Sequence, residues 1–185
     1  MNDFVYSYPT KVYFGKGAAE KALKTELAAA GKTILLAYGG GSIKHNGIYD
    51  EIVSLLKEMG KTVVDFSGIM PNPTYAKVQE GAALARAKQV DYILAVGGGS
   101  VIDCCKIVAA QAKTTKDLWE LEFTNRQLPS DAIGLGAVVT ASGTGAEMNG
   151  GAVITHEEKK MKTGMLAFAP RFAVLDPAYT LSVPQ

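Results

Sequence analysis

Short apolar runs and amphipathic stretches alternate along the first 112 residues of the chain. The apolar runs, which predict strands, cover residues 11–14, 33–38, 62–66 and 92–96. Between them, apolar residues spaced three or four apart predict helices over 18–30, 48–60, 74–88 and from about 101 to 112. Strands that alternate with helices predict a parallel sheet with right-handed crossovers. The fold class we expect is α/β, a Rossmann-like, doubly wound, mostly parallel sheet.

The pattern changes after Lys113, where helices become scarce. A polar stretch leads to an apolar strand at 133–139 and to shorter strand-like segments at 151–155 and 172–175. The charged segment His156–Lys160 has the composition of a solvated hairpin tip. We therefore expect a small, hairpin-rich part near the C-terminus of an otherwise parallel domain.

Length and composition fit one folded domain over residues 1–185. Hydrophobic residues make up 48% and charged residues 20% of the chain, which is typical of a globular protein. A formal net charge of +1 argues against nucleic acid or an anionic membrane as the main partner. No apolar run approaches the roughly 18 residues that span a bilayer, and the N-terminus lacks a secretion signal, so we expect a cytoplasmic protein.

The two cysteines, Cys104 and Cys105, are neighbours in the sequence. Adjacent cysteines fit neither a disulfide framework nor a Cys-x-x-Cys redox or zinc pair. We interpret both as small residues of the core.

Two glycine triplets follow predicted buried strands, Gly39–Gly41 before Ser42 and Gly97–Gly99 before Ser100. Glycine in a rigid element costs about 0.5 to 1 kcal/mol relative to alanine, so two triplets need a reason. At a junction between a strand and a helix, bare amides can bind a diphosphate beside the positive end of the helix dipole. Ser100 and Asp103 also match an S-x-x-D capping box, which would explain both residues without a ligand.

Neither triplet matches a standard nucleotide motif. The chain has no G-x-x-x-x-G-K-[ST] loop, and the G-x-G-x-x-G pattern fails at Lys44 and at Ile102. A standard Rossmann enzyme is therefore disfavoured, and glycines that only permit tight turns stay an alternative. A third cluster, Thr140–Gly145, mixes hydroxyls with glycines and is typical of turns as much as of a site.

Taken together, the ordered segments resemble a known family. The sequence is similar to the iron-containing (group III) alcohol dehydrogenases, most closely to their NADP-linked butanol dehydrogenase and aldehyde reductase branch. The resemblance covers the cofactor-binding N-terminal domain of that family and excludes its all-helical metal domain. The segments that carry it are Pro9–Gly15, Tyr38–Lys44, Pro71–Pro73, Gly97–Asp103, Thr140–Asn149 and Leu175–Pro177.

The resemblance implies a binding site for a nicotinamide dinucleotide. Gly97–Ser100 would hold the diphosphate, and Thr140 and Tyr179 would lie near the adenine. Asn72 would line the cleft in which the cofactor binds. Ser142, Thr144, Asn149 and Lys162 would follow the ribose and the nicotinamide. The full set implied to bind the cofactor is Gly39, Gly40, Gly41, Ser42, Asn72, Gly97, Gly98, Gly99, Ser100, Asp103, Thr140, Ser142, Thr144, Asn149, Lys162 and Tyr179.

The first triplet also suggests which cofactor is preferred. NAD-linked relatives place an Asp where this sequence has Gly41 followed by Ser42, and an Asp would repel the 2′-phosphate of NADP. We therefore expect NADP, with NAD as the alternative. Lys44 is either a counter-charge for that phosphate or simply a solvated loop lysine.

The resemblance also implies a metal, iron or zinc, whose Asp and His ligands lie beyond Leu175–Pro177 in the family. The chain ends at Gln185 and holds only His45 and His156, which we interpret as surface residues. We expect no metal or catalytic residue in this chain, which looks cut short, and we expect the chain to be inactive alone. The implied substrates of the whole enzyme are a small primary alcohol and its aldehyde.

Other interpretations stay open at this point. The chain could be a stand-alone nucleotide-binding module without catalysis, or a relative of the polyol dehydrogenases and dehydroquinate-synthase-like enzymes. The segment Phe4–Tyr8 alternates aromatic with other residues, which is typical of an edge strand that pairs with a second chain. Because the family often pairs there, we expect a homodimer.

Overall fold

The computed structural model describes residues 8–182. Eight strands are present in this range: β1 (Lys11–Phe14), β2 (Thr33–Tyr38), β3 (Thr62–Phe66), β4 (Tyr92–Gly97), β5 (Gly134–Val139), β6 (Gly151–His156), β7 (Met161–Leu166) and β8 (Phe172–Leu175). The α-helices of the same range are α1 (Ala18–Glu26), α2 (Ser42–His45), α3 (Ile48–Glu58), α4 (Tyr75–Ala87), α5 (Gly99–Gln111) and α6 (Leu118–Phe123). Two single turns of 3₁₀-helix, Ala146–Met148 and Pro177–Thr180, complete the elements.

Six of the strands form one parallel sheet in the order β1-β8-β5-β4-β2-β3. The chain moves from β2 outward to β3, and then returns to place β4 on the other side of β2. In open α/β sheets, ligands bind at the carboxyl ends of the strands where the order reverses in this way. The reversal between β2 and β4 therefore brings the two glycine triplets, which follow these strands, to one edge of the sheet.

The remaining strands, β6 and β7, form an antiparallel hairpin. It lies against helix α5 and the start of α4, and the turn at residues 157–160 joins its strands. The expected doubly wound α/β fold with a hairpin near the C-terminus is confirmed.

The sheet is covered on both faces, which explains why its central strands are continuously apolar. In β2, Leu35 and Ala37 pack towards α4, α5 and α6, whereas Ile34 and Leu36 pack towards α1 and α3. Helix α5 is buried around almost its whole circumference, including Cys104 and Cys105. The interpretation of both cysteines as core residues is confirmed.

One predicted helix boundary was wrong, and two short helices were missed. Helix α1 ends at Glu26 and not at 30. The stretch after Lys113 contains α6, which begins where Asp117 accepts a hydrogen bond from the Glu120 amide at 2.9 Å and which buries Trp119. The one-turn helix α2 was also missed, because a turn of four residues is too short to show helical periodicity.

Within residues 8–182 the structure contains no helix with the length and apolar character needed to span a bilayer. The segment Phe4–Ser7, to which the pairing prediction mainly refers, lies outside the described residues.

Candidate functional site

A cavity of about 660 Å³ opens at the carboxyl ends of β4 and β5. This volume lies within the roughly 300 to 1,000 Å³ of small-molecule sites. Four segments form its walls: the turn at 72–73, the start of α5, the loop after β5 and the hairpin β6–β7. The lining residues are Asn72, Pro73, Gly98, Gly99, Ser100, Asp103, Ala141, Ser142, Gly143, Thr144, Ala146, Asn149, Gly151, Ala152, Val153, Lys162, Gly164, Met165 and Leu166.

Helix α5 begins at this cavity without a capping side chain. Gly98 occupies the N-cap position in an extended conformation (φ −85°, ψ −173°), and Gly99 is the first helical residue. The first amides of an α-helix have no partner inside the helix, and the helix dipole places partial positive charge there. Gly98, Gly99 and Ser100 all line the cavity, so this end of α5 is suited to an anion.

The predicted capping box was wrong. The helix begins one residue before Ser100, and the Asp103 carboxylate accepts hydrogen bonds from the Val153 amide at 3.0 Å and the Lys106 ammonium at 3.4 Å. Asp103 therefore joins α5 to the hairpin instead of closing the first turn of the helix.

The glycines of the second triplet are needed for different reasons. A Cβ on Gly97 would lie 2.6 Å from Val101 Cγ2, so this glycine allows β4 to pack closely on α5. A Cβ on Gly98 would lie 3.6 Å from the Cβ of Ala141, and one on Gly99 would lie 3.3 Å from Thr144 Oγ1. Side chains at 98 and 99 would narrow the cradle between α5 and the loop after β5.

The first triplet lies behind the same helix start. A Cβ on Gly39 would be 3.9 Å from Val101 Cγ2, so Val101 separates the two triplets. Gly41 is the N-cap of α2 with φ +111°, a left-handed conformation that favours glycine. A Cβ on Gly41 would meet no heavy atom within 4 Å, so its surroundings are open.

A polar side chain of the hairpin contacts one of the turn directly at the wall of the cavity. Lys162 donates from Nζ to Asn72 Oδ1 at 2.6 Å, although 90 residues separate them in the sequence. Asn72 adopts φ +57°, a conformation that asparagine tolerates better than most residues. Lys162 is the one cation among the described residues that line the cavity.

A buried network under the cavity was missed by the sequence analysis. Lys106 is 1% exposed, and its ammonium donates to Asn149 Oδ1 at 3.1 Å and to the carbonyl oxygen of Gly151 at 2.5 Å. Burial lowers the pKa of Lys106, while the carboxylate of Asp103 acts in the opposite direction. The signal in the sequence is a lysine three residues after an aspartate within an apolar helix.

The structure brings nine of the sixteen predicted residues together around the cavity, namely Asn72, Gly98, Gly99, Ser100, Asp103, Ser142, Thr144, Asn149 and Lys162. Gly97 lies directly behind them, and its carbonyl oxygen accepts a hydrogen bond from the Thr140 amide at 3.1 Å. The other residues outside the lining are Gly39, Gly40, Gly41, Ser42, Thr140 and Tyr179.

Tyr179 belongs to a different cleft, at the C-terminal end of the described chain. Its hydroxyl donates to Glu51 Oε1 at 2.6 Å, and burial together with this carboxylate raises the pKa of the phenol well above its usual value.

Lys44 lies over the rings of Tyr38 and Tyr49, with its Nζ 5.1 and 4.6 Å from the ring centroids. Both Lys44 and Tyr179 lie on the side of the sheet that carries α2 and α3.

The two histidines differ from each other. His45 is exposed, as expected. His156 is not a simple surface residue, because its ring stacks on Tyr75 at 5.2 Å and meets Trp119 edge-on at 4.7 Å. Among residues 8–182, no three His, Cys, Asp or Glu side chains are grouped so that they could hold a metal ion.

Comparison with known proteins identifies the family. The sequence profile of the iron-containing alcohol dehydrogenases matches residues 9–177. The chain belongs to this family. The resemblance inferred from the six ordered segments is therefore confirmed.

The relatives share the whole length of this chain. It is 46% identical to the probable NADH-dependent butanol dehydrogenase 1 of Bacillus subtilis and 39% identical to the NADPH-dependent aldehyde reductase YqhD of Escherichia coli, covering 100% of this chain and 48% of each relative. The solved NADH-dependent butanol dehydrogenase A of Thermotoga maritima superposes with a TM-score of 0.90 at 41% identity, over 100% of this chain and 46% of that one. The chain thus spans about half the length of the relatives it matches.

Proposed function

We propose that this chain is the nicotinamide dinucleotide-binding domain of an oxidoreductase that interconverts a primary alcohol and its aldehyde. The observation that carries the proposal is the start of α5, an uncapped helix end whose glycines line a cavity where the strand order reverses. A Cβ on Gly99 would come within 3.3 Å of the opposite wall, so the bare backbone leaves room for a ligand. The names of the relatives, which are alcohol dehydrogenases and aldehyde reductases, support the same class.

In this proposal the residues of the chain bind and orient the cofactor. The amides of Gly99 and Ser100 donate to the diphosphate, which the dipole of α5 also attracts. The hydroxyls of Ser142 and Thr144 and the ammonium of Lys162 offer hydrogen bonds to the sugar and the nicotinamide amide. A bound dinucleotide would supply the hydride chemistry of the reaction, and the residues named above would hold it in place for that transfer. The metal-dependent step of the family is assigned to none of the described residues, because they form no ligand cluster.

We further propose that the cofactor is NADP rather than NAD. A Cβ on Gly41 would meet no heavy atom within 4 Å, and neither Gly41 nor Ser42 carries a carboxylate, which supports this preference. The names of the relatives do not decide it, because butanol dehydrogenases named NADH-dependent and an aldehyde reductase named NADPH-dependent all match.

Calorimetric titration of the chain with NADP⁺ and with NAD⁺ tests the proposal. We expect saturable binding of one dinucleotide per chain, and we expect Gly99→Val to weaken it at least tenfold, about 1.4 kcal/mol, by filling the cradle. Ala18→Val is the matched control, because Ala18 is the first residue of α1 on the opposite face of the sheet. Absence of binding by the unmodified chain, or equal binding by Gly99→Val, would contradict the proposal.

We further propose that this chain alone binds the cofactor without catalysing the reaction. The lack of a ligand cluster among residues 8–182 supports this expectation. We expect the 185-residue chain to bind dinucleotide and to show no butanol oxidation with added iron or zinc. Metal-dependent turnover by the purified chain would show that it carries the chemistry as well.

A further inference from the structure

Lys106 is a buried cation in the middle of the apolar helix α5. Its ammonium lies 3.4 Å from Asp103 Oδ1 and also donates to Asn149 and to the carbonyl oxygen of Gly151. A buried ammonium is costly unless it is paired and hydrogen-bonded, because it has left water. Among the described residues, Asp103 has the one carboxylate that lies within 4 Å of the Lys106 ammonium. The carboxylate of Glu147 interacts with this ammonium electrostatically, over a longer distance.

Asp103 lies at a position where a negative charge needs an explanation. It lines the same cavity as Gly98, Gly99 and Ser100, where we propose that an anionic diphosphate binds. A free carboxylate there would repel the phosphates, since like charges at short distance disfavour each other. The carboxylate is only 13% exposed, one of its oxygens faces Lys106, and the other accepts the Val153 amide.

We propose that Lys106 is a positioning residue that neutralises Asp103 and holds it back from the cavity, so that the start of α5 remains attractive to a diphosphate. This inference rests on the proposed cofactor-binding function. It replaces the direct cofactor contact that the resemblance implies for Asp103, because both oxygens of this carboxylate already have partners within the chain. The simpler alternative is that Lys106 only stabilises the structure, by hydrogen bonds from α5 to Asn149 and to the carbonyl oxygen of Gly151. The two roles predict different dinucleotide affinities for a variant in which the charges of Lys106 and Asp103 are both removed.

The test is a double-mutant cycle on the 185-residue chain, with NADP⁺ and NAD⁺ as ligands in calorimetry. The variants are Lys106→Gln, Asp103→Asn and the double variant, and thermal unfolding establishes that each one is folded. The exposed pair Glu20–Lys24 on α1 gives matched controls, Glu20→Gln and Lys24→Met, with the same changes in net charge away from the cavity.

We expect Lys106→Gln to weaken dinucleotide binding about tenfold or more, because Asp103 then faces the ligand uncompensated. The double variant should bind within about threefold of the unmodified chain, since a neutral pair restores the balance of charge. The control variants should bind like the unmodified chain.

A double variant that binds dinucleotide as weakly as Lys106→Gln would overturn the inference. Removing the carboxylate of Asp103 cannot restore the lost hydrogen bonds of Lys106, so this result would indicate a purely structural role. If Lys106→Gln does not fold, Asp103→Asn decides alone: the inference requires binding at least as tight as that of the unmodified chain, and weaker binding overturns it. Absence of binding by the unmodified chain would overturn the proposed function, and this inference with it.

Discussion

At the scale of the residue, adjacent glycines in one loop serve different purposes. We expect Gly97→Ala to destabilise the fold by about 1 to 3 kcal/mol, because its Cβ would overlap Val101 in a packed junction. Gly98→Ala should cost much less stability, since its Cβ would meet Ala141 at an ordinary 3.6 Å. Urea unfolding of the two variants measures the difference. Equal losses of stability would mean that the junction between β4 and α5 relaxes around the added methyl group.

Gly41 offers a residue-scale test of the cofactor preference. Gly41→Asp should weaken NADP⁺ binding by about 1 to 3 kcal/mol relative to NAD⁺, because the carboxylate repels the 2′-phosphate. Since Gly41 has φ +111°, any side chain there strains the backbone, and Gly41→Asn is the control that shares the strain without the charge. Calorimetry with both cofactors measures the ratio. If NAD⁺ binds the unmodified chain more tightly than NADP⁺, the NADP assignment is wrong.

Sequence reasoning located the glycine cradle, because strand, glycines and helix are consecutive in the chain. It failed where a side chain finds a partner far away in sequence. Asp103 matched a local capping pattern, but its partner is the Val153 amide, 50 residues on. His156 matched a solvated turn, but it stacks on Tyr75 of α4. A local sequence pattern cannot predict these contacts, because the two partners are far apart in the chain.

At the scale of the element, the burial of α5 predicts unreactive cysteines. Burial raises the pKa of Cys104 to about 12 and that of Cys105 well above its ordinary value. The thiolate is the reactive form, so at pH 8 its fraction is far below that of an exposed cysteine. We expect no alkylation by iodoacetamide at pH 8 in the folded chain and alkylation of both residues in guanidinium, measured by mass spectrometry. Rapid alkylation of the folded chain would mean that α5 opens.

The longer elements could be predicted from the sequence, whereas a short helix was missed even though it has a cap. Helix α4 was predicted correctly, and the structure shows Thr74 as its N-cap, with Oγ1 accepting a hydrogen bond from the Lys77 amide at 3.2 Å. Strands β2 and β4 were predicted from their continuous apolar runs. Helix α6 was missed because six residues give too few repeats of the helical period, although Asp117 caps it in the same way as Thr74 caps α4.

At the scale of the whole molecule, the order of the strands positions the candidate site. Periodicity predicted the class of fold, but it could not predict that β4 lies beside β2 with β3 on the far side. That arrangement places both glycine loops at one edge and the hairpin across from them. The geometry of the candidate site therefore depends on contacts between segments that only the fold brings together.

Association of two chains remains a prediction. Strand β1 lies at an edge of the sheet, where Val12 and Phe14 are exposed. An edge strand can pair with a second copy. We expect deletion of residues 1–8 to convert a dimer into a monomer in multi-angle light scattering. An unchanged mass after the deletion would show that this segment does not hold the copies together.

The central claim is that the start of α5 binds the diphosphate of a nicotinamide dinucleotide. The most direct measurement is amide NMR of the ¹⁵N-labelled chain during titration with NADP⁺. We predict that the amide signals of Gly99 and Ser100 move most, together with those of Thr144 and Lys162, and that they saturate with one ligand per chain. Saturable shifts confined to other regions, with Gly99 and Ser100 unmoved, would contradict the account.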